Sequence, residues 1–203
     1  MAYILGFFAA DGNLTLGRRG NHYIEFTSTD QEIIQRIRSV FGSNHKIPRR
    51  ARRLNHKDSF RIQIGSKIIF NDLQKLGFTP NKSKTLQYPK TPKKYLRDFV
   101  RGYFDGDGHV VTGLYPRKSR PSKIRVLFSG FTSGTKDFLV KLWNELKIRG
   151  IVNGGTLYYA QRGHRLNFSK KDSLQLYRFL YNKVGYGLYL PRKKEVFEKF
   201  MRA

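Results

Sequence analysis

The chain has no cysteine, one tryptophan and two methionines among its 203 residues. Without cysteine there is no disulfide and no thiolate-bound zinc, a composition that fits a reducing compartment. Acidic residues are scarce: 14 Asp and Glu face 40 Lys and Arg, for a net charge of +26. That excess goes far beyond what solubility requires and favours a polyanion as partner, nucleic acid first. Long apolar runs are missing too. The first apolar segment, Tyr3 to Ala10, is only eight residues long, too short to cross a bilayer. No basic stretch precedes it and Asp11 closes it, so it does not read as a signal peptide. No membrane partner is expected, and no targeting signal is seen. The predicted location is intracellular, in the cytoplasm or an organelle matrix. The five histidines (22, 45, 56, 109 and 164) are scattered, with no pair at helical metal-ligand spacing. Hydrophobic residues make up 39% and aromatics 14%, enough for the core of one large or two small domains.

Against these absences one pattern occurs twice. Gly6-Phe7-Phe8-Ala9-Ala10-Asp11-Gly12 returns 96 positions later as Gly102-Tyr103-Phe104-Asp105-Gly106-Asp107-Gly108. In each copy two small residues stand four apart, Gly6 with Ala10 and Gly102 with Gly106. On a helix that spacing lines one face, and small residues there admit a second backbone. An acid and a glycine follow, and glycine is common just past a helix end. Two such helices side by side would hold Asp11 and Asp107 together at one end of the seam. Glycines inside a helix cost about 1 kcal/mol each relative to alanine. Carboxylates at a helix C-terminus oppose the macrodipole, and two at one spot repel unless a cation intervenes. Oxygen-only ligands suit Mg²⁺.

The rest of the chain follows the same order twice. Asn13 to Leu16 and His22 to Thr27 read as a hairpin around Gly17–Asn21. Ile33, Ile34, Ile37, Val40 and Phe41 give a helical apolar face closed by Gly42. Lys46 to Arg53 and Ser59 to Ile64 read as a second strand pair, and Ser66 to Leu76 as a helix. In the second half Tyr95 to Asp107 is the motif helix, and His109 to Leu114 with Ile124 to Gly130 a strand pair. Val126 and Phe128 are there expected to alternate inward against Arg125 and Leu127. Thr132 to Lys147, Lys171 to Tyr181 and Leu190 to Arg202 read as helices, and Gly155 to Gln161 with His164 to Phe168 as strands. Phe26-Thr27-Ser28 answers Phe131-Thr132-Ser133, and Arg61-Ile62-Gln63 answers Arg165-Leu166-Asn167. The expected fold class is α+β. It has two pseudo-symmetric αββαββα repeats, each a four-stranded antiparallel sheet with helices on one face. The repeats are 1–87 and 95–203, with a Pro- and Lys-rich linker at 88–94. The open sheet faces would form a long positive saddle.

A glycine–acid helix repeated before ββαββα resembles the LAGLIDADG homing endonucleases in their single-chain, two-repeat form. The nine-residue motif falls on Ile4 to Gly12 and Val100 to Gly108. Its last acid, which binds metal in that family, is Asp11 and Asp107. The motif's earlier acid is Asp105 in the second copy but Ala9 in the first, and no loss of activity is expected from that. Arg101 and Leu5 occupy the usually small second position. Inteins of this family begin with Cys or Ser and end with His-Asn. This chain begins Met1-Ala2 and ends Arg202-Ala203, so a free-standing endonuclease is expected.

The resemblance implies hydrolysis of a phosphodiester on each strand of double-stranded DNA. Metal held by Asp11 and Asp107, with the carbonyls of Ala10 and Gly106, would polarise the phosphate and help to ionise a water. Mg²⁺ is the expected ion. Mn²⁺ would substitute, and Ca²⁺ would support binding without cleavage. The family also keeps a basic residue near each phosphate, for which Lys82 and Lys193 are the first candidates and Lys84 the next. Arg192 and Lys194 are neighbouring alternatives. DNA would lie across the sheet faces, with Arg reading guanine and Gln or Asn reading adenine. The candidate DNA contacts are Arg18, Arg19, Glu25, Arg49, Arg50, Arg53, Arg61 and Gln63 in the first half. In the second they are Arg117, Arg120, Arg125, Arg162, Arg165 and Asn167. A monomer cutting a long asymmetric site is the leading expectation. An intron RNA maturase and a DNA-binding regulator that does not cut are the alternatives.

Overall fold

The two motif segments are helices, α1 over Ala2–Asp11 and α4 over Leu96–Asp107. The computed structural model describes residues 1–51, 57–117, 120–182, 184 and 187–202, with Arg117 and Arg120 by main chain alone. Helix α1 buries Tyr3, Ile4, Gly6, Phe7, Phe8 and Ala9, the all-round burial expected of a helix that is apolar on every face. Its first turn is closed by a Leu5 N–H to Met1 carbonyl bond of 2.9 Å.

The first repeat continues with β1 (Gly12–Leu16), β2 (His22–Ser28), α2 (Gln31–Val40), β3 (Arg49–Arg50), β4 (Ser59–Gly65) and α3 (Lys67–Lys75). The second continues with β5 (Gly108–Arg117), β6 (Arg120–Ser133), α5 (Lys136–Ile148), β7 (Thr156–Ala160), β8 (Gly163–Phe168), α6 (Lys170–Tyr181) and α7 (Pro191–Arg202). Two antiparallel sheets result, ordered β1-β2-β4-β3 and β5-β6-β8-β7. Their registers match. Phe26 lies between Gly12 and Ile62 as Phe131 lies between Gly108 and Leu166. The cores echo each other as well. Phe8 meets Phe26 edge-on at 5.5 Å, and Phe104 meets Phe131 edge-on at 5.5 Å.

Three expectations are corrected. Of the strand expected over Lys46 to Arg53, residues 52 and 53 lie outside the described residues, and over 46–51 strand β3 holds only Arg49 and Arg50, a stretch with little apolar bulk in which Pro48 has no N–H to give to the ladder. Strands β5 and β6 run past Leu114 and Ile124, with Tyr115 paired to Ile124 and Pro116 to Lys123. Main-chain pairing carries this arm beyond the point where burial patterns its side chains. The register of β6 is the reverse of the expected one. With Phe131 in the core, counting back by two puts Ser129 and Leu127 inside, both at most 1% exposed. Val126 and Phe128 therefore lie on the opposite face, and their apolar character disguised the phase.

Helices α1 and α4 approach until their backbones touch. A Cβ on Gly6 would stand 1.9 Å from the Phe99 carbonyl oxygen, and one on Gly102 would stand 2.0 Å from that of Tyr3. No other residue fits at either place. Each copy of the motif supplies the notch for the other. Alanine would gain about 1 kcal/mol of helix propensity, but overpacking against rigid main chain costs up to about 3 kcal/mol. Gly6→Ala and Gly102→Ala are therefore each predicted to destabilise by about 2 kcal/mol, a fall of about 4–8 °C in Tm for a chain of this size. Gly65→Ala, where a Cβ would meet Tyr23 at an ordinary 3.7 Å, serves as the near-neutral control in thermal unfolding. Equal behaviour of all three would refute the notch.

Candidate active site at the end of the helix pair

The seam brings Asp11 and Asp107, the last residues of α1 and α4, to the same end. A Cβ on Gly106 would lie 2.3 Å from the Ala10 Cβ and 3.2 Å from Asp11 Oδ2, so the glycine of one motif seats the acid of the other. Burial pushes both carboxyls above the ordinary range, and Asp107 reaches about 7 with the Asp11 charge as the second cause. Lys193 and then Lys82 pull Asp11 back down. Asp11 keeps a side open to solvent while Asp107 is half-buried, which moderates the push on Asp11. Among the described residues neither carboxylate has a hydrogen bond or ion pair of its own.

The glycine after each acid does not do what a helix-ending glycine usually does. Gly12 (φ −89°, ψ 158°) and Gly108 (φ −84°, ψ 159°) are extended, not left-handed. They are glycine because a Cβ would strike the ring of Phe8 at 2.1 Å or of Phe104 at 2.4 Å. The chain passes straight from helix to strand over an aromatic ring, which fixes the acid before it.

Two lysines complete the site, and they match across the pseudo-symmetry. Lys82 opens the 3₁₀ turn Lys82–Lys84 and donates to the Gly12 carbonyl. Lys193, in the first turn of α7, donates to the carbonyls of Phe104 (2.6 Å), Asp105 (2.8 Å), Gly106 (3.2 Å) and Gly108 (2.6 Å). Each amine lies 5.4 Å over the phenylalanine of its own repeat, Phe8 or Phe104. Both lysines are 5% exposed, and burial lowers each to about 8 against the pull of nearby aspartates. They hold the carbonyls at the negative ends of the helix dipoles, and they leave the carboxylates free. Lys84 is exposed and is not part of this cluster. Lys194 pairs with Glu198 at 3.4 Å, and Arg192 forks onto Asp30 with three contacts of 2.9–3.0 Å.

The donor set fits a hard divalent cation. Two unpaired carboxylates and main-chain carbonyls offer oxygen only, and the charge between them is uncompensated. No three His, Cys, Asp or Glu side chains meet among the described residues, so such an ion would take its remaining ligands from water and phosphate, as Mg²⁺ commonly does. The Gly106 carbonyl is already shared with Lys193.

The open sheet faces carry most of the expected nucleic-acid contacts, several of them already engaged. Arg18 and Arg19 are exposed in the β1–β2 turn. Glu25 pairs with Arg61 and accepts from Gln63 Nε2 at 2.7 Å, so these three act as one cluster. Arg49 bonds Asp58 at 2.6 Å, while Arg50 beside it is exposed. Arg162 sits in the β7–β8 turn at φ 66°, and Arg165 donates to Gln161. Arg117 and Arg120 pair by main chain at the tip of the β5–β6 arm. Arg53 lies outside the described residues. Arg125 is a correction. It lies on the helix side of β6, donates to the Lys199 carbonyl at 2.8 Å and covers the Phe200 ring at 4.5 Å. The same register that puts Leu127 in the core puts it there. Asn167, one of the expected contacts, stands in a polar row: His109 Nε2 is 2.9 Å from its Oδ1 and its Nδ2 donates to Tyr158 Oη at 2.9 Å. Burial lowers the His109 pKa. Gly130 beneath makes room for this row, since a Cβ would fall 2.7 Å from Asn167 Oδ1 and 2.9 Å from the His109 ring. His109 occupies the position that Asn13 holds in the first repeat, and that correspondence could have found it.

With this geometry in hand, comparison with known proteins gives a consistent picture. Residues 1–84 match the family model of the LAGLIDADG-like domain. Solved structures of similar fold include I-SmaMI bound to cleaved DNA, at 12% identity and TM-score 0.66, covering 99% of this chain and 87% of that one. I-LtrWI bound to target DNA has 14% identity and TM-score 0.65, covering 99% and 88%. I-SmaMI bound to uncleaved target in the presence of calcium ions has TM-score 0.64 at 11% identity, covering 99% and 89%. An uncharacterised protein of Methanocaldococcus jannaschii is 21% identical over 212 residues, 100% of this chain and 72% of that protein. A probable translation initiation factor of Thermococcus kodakarensis is 27% identical over 188 residues, 88% of this chain but 14% of that protein. The chain spans so little of the latter that its activity says nothing about this one.

The raised Asp107 predicts a pH signature in the metal-free protein. An acid whose folded pKa is raised binds more protons folded than unfolded, so stability falls as pH rises through the gap. Here the window runs from about 4, the ordinary value, to about 7. Asp107→Asn removes the penalty. In EDTA its Tm is predicted to equal the parent's near the lower end of that window and to exceed it above the upper end. Mg²⁺ is predicted to shrink or reverse the gain. Parallel Tm curves for the two proteins across this range would sink the assignment.

Proposed function

With residues 1–84 matching a LAGLIDADG-like domain and the whole chain folded as the two-repeat LAGLIDADG homing endonucleases are, we propose that this protein is a site-specific endonuclease. It would cut both strands of a long, asymmetric double-stranded DNA site as a monomer. The observation that carries this reading is the pair of unpartnered carboxylates, Asp11 and Asp107, each beside a buried lysine that grips main-chain carbonyls. A folding role alone would not set two repelling acids at one end of a seam that requires glycine on both sides.

Asp11 and Asp107, with the carbonyls of Ala10 and Gly106, would hold the cation. Bound there, Mg²⁺ would supply positive charge to the scissile phosphates and acidify a water. The rest falls to the chain. Lys82 and Lys193, with pKa values of about 8, are mostly charged at neutral pH. They would offset the charge that grows on each phosphate, and a pKa this near neutrality also lets either one exchange a proton. Lys84, exposed, has no part in this. The exposed Arg18, Arg19, Arg50 and Arg162 would seat the phosphate backbone, as most protein–DNA contacts do. Base edges would meet the polar rows nearest the acids. These are Asn13, Glu25 and Gln63 on one sheet and His109 and Asn167 on the other, joined by strand register or hydrogen bond. The two rows differ, so the two half-sites should differ.

The test is cleavage of a randomised double-stranded DNA library in Mg²⁺, Ca²⁺ or EDTA, followed by sequencing of the ends. Specific cuts in Mg²⁺ alone are expected, with Mn²⁺ substituting and Ca²⁺ giving binding without cuts. Asp11→Asn or Asp107→Asn is predicted to lower cleavage about 1,000-fold or more while sparing binding. Lys193→Met should lower it about 100-fold. Enrichment without cuts in any metal would replace this reading with that of a regulator. Neither cuts nor enrichment would replace it with binding to intron RNA.

A further inference from the structure

Asp105 is 1% exposed and makes no contact with solvent or with either of the paired acids. Its carboxylate takes three hydrogen bonds: from Tyr3 Oη at 2.8 Å, from Tyr181 Oη at 3.0 Å and from the Leu190 N–H at 2.9 Å. The donors come from α1 of the other repeat, from the end of α6 and from the residue just before α7. Leu190 in turn accepts from the Lys193 N–H at 3.1 Å, and the Asp105 carbonyl accepts from Lys193 Nζ at 2.8 Å. One residue thus grips both ends of Lys193, the main chain through Leu190 and the amine directly. Arg101, buried one turn earlier, steadies the same segment through the carbonyls of Leu188 (3.0 Å) and Leu180 (3.3 Å).

Among the described residues the first repeat has no counterpart of this carboxylate node. The position 96 before Asp105 is Ala9, and the position 96 after Tyr3 is Phe99. The acid and its cross-seam phenol are both missing from the symmetry-related place. Lys82 correspondingly donates to one carbonyl, where Lys193 donates to four. Unpaired buried carboxylates are costly, so losing one partner without the other would have been destabilising. The absence of both leaves the first half-site intact but less tightly held.

We propose that Asp105 is a positioning residue for Lys193 and makes the two halves of the active site unequal. The amine of the second repeat is held by more contacts before substrate arrives than that of the first, which has the Gly12 carbonyl alone among the described residues. Pre-set geometry is worth rate, because charge already in place costs no reorganisation. The strand served by Lys193 is therefore cut first and Asp105 sets that order. This consequence rests on the endonuclease reading, but the positioning itself does not.

Two measurements separate them. The first is amine labelling of the free protein under native conditions, read by mass spectrometry. Lys193 is expected to label several-fold more slowly than Lys82. Asp105→Asn and Tyr181→Phe should each speed Lys193 at least several-fold and leave Lys82 unchanged. Asp172→Asn is the control for a merely structural effect. It breaks a carboxylate that caps the Asn153 and Gly154 N–H groups at 2.9 and 3.0 Å in the same repeat, and it should lower Tm without singling out Lys193. If Lys82 and Lys193 label alike, or if all three variants move both lysines together, the positioning is wrong. The second is strand-resolved nicking of supercoiled target, where the parent should nick one strand first and Asp105→Asn should lose that preference by slowing that strand alone. Equal slowing of both strands would overturn the ordering. A parent that cuts nothing would overturn the endonuclease reading, while the labelling still decides for or against Asp105.

Discussion

The close approach of α1 and α4 is the constraint from which the rest follows. Main-chain carbonyls of one helix occupy the space where side chains of the other would begin, at Gly6 against Phe99 and at Gly102 against Tyr3. Contact this close leaves no freedom of relative position, so whatever stands at the helix ends is placed to a fraction of an ångström. What stands there is a pair of like charges. Their repulsion and burial would push a proton onto one of them, and the seam is too tight to let them part. Two further features answer the electrostatic problem without removing the charges. Lys82 and Lys193 neutralise the carbonyl ends of the helices. Gly12 and Gly108 let each chain turn over a phenylalanine ring directly into a strand. Among the described residues the acids are left without a hydrogen bond or ion pair of their own.

The repeats share a plan but not a degree of order. Register, aromatic packing and the lysine clamp coincide across the two halves. The second half then adds a long β5–β6 arm, helix α7 and the Asp105 node. Each lysine-bearing segment is also braced on the opposite repeat. Arg192, beside Lys193, forks onto Asp30, and the Ser83 carbonyl, beside Lys82, fills the space that a Cβ on Gly134 would need, 2.0 Å away. The halves are thereby tied at the acid-bearing end as well as along the seam.

Much of this was legible in the sequence, because it depends on residue types that have few other uses. Glycines at helical spacing before an acid, twice, at half-chain separation, point to the seam and to the acids at its end. The family resemblance nominates Lys82 and Lys193 ahead of Lys84, Arg192 and Lys194, and these two are the ones buried against the carbonyls at the helix ends. What escaped has physical reasons too. The phase of β6 was hidden because Val126 and Phe128 are apolar on the open face, so alternation pointed the wrong way and Arg125 was assigned to the wrong side. Gly12 and Gly108 look like helix stops, but the ring beneath them is a tertiary neighbour that local sequence does not reveal. The His109–Asn167–Tyr158 row joins three strands, and only the register brings it together. Asp105 stands out in the sequence only as an acid that the first motif lacks, because its partners lie 102, 76 and 85 positions distant, out of reach of any local rule.

The charge distribution separates affinity from chemistry. The chain carries +26 overall, yet the end of its helix seam holds two acids that have no bonded cationic partner among the described residues. A polyanion laid along the sheets would be drawn in by the periphery and resisted at the middle. The attraction is spread over many exposed Arg and Lys, each contributing little and each weakened by salt. The resistance is concentrated at Asp11 and Asp107, two like charges at one end of the seam. A divalent cation held by the acids would turn that central repulsion into attraction. Binding of the polyanion and of the ion would then favour each other equally, as linkage requires: the polyanion would add ligands and negative charge at the ion's site, and the ion would remove the one unfavourable contact in an otherwise favourable surface. Loss of either acid would relieve the resistance and leave the peripheral attraction intact, so affinity for a polyanion and any chemistry at the acids are separable properties of this surface.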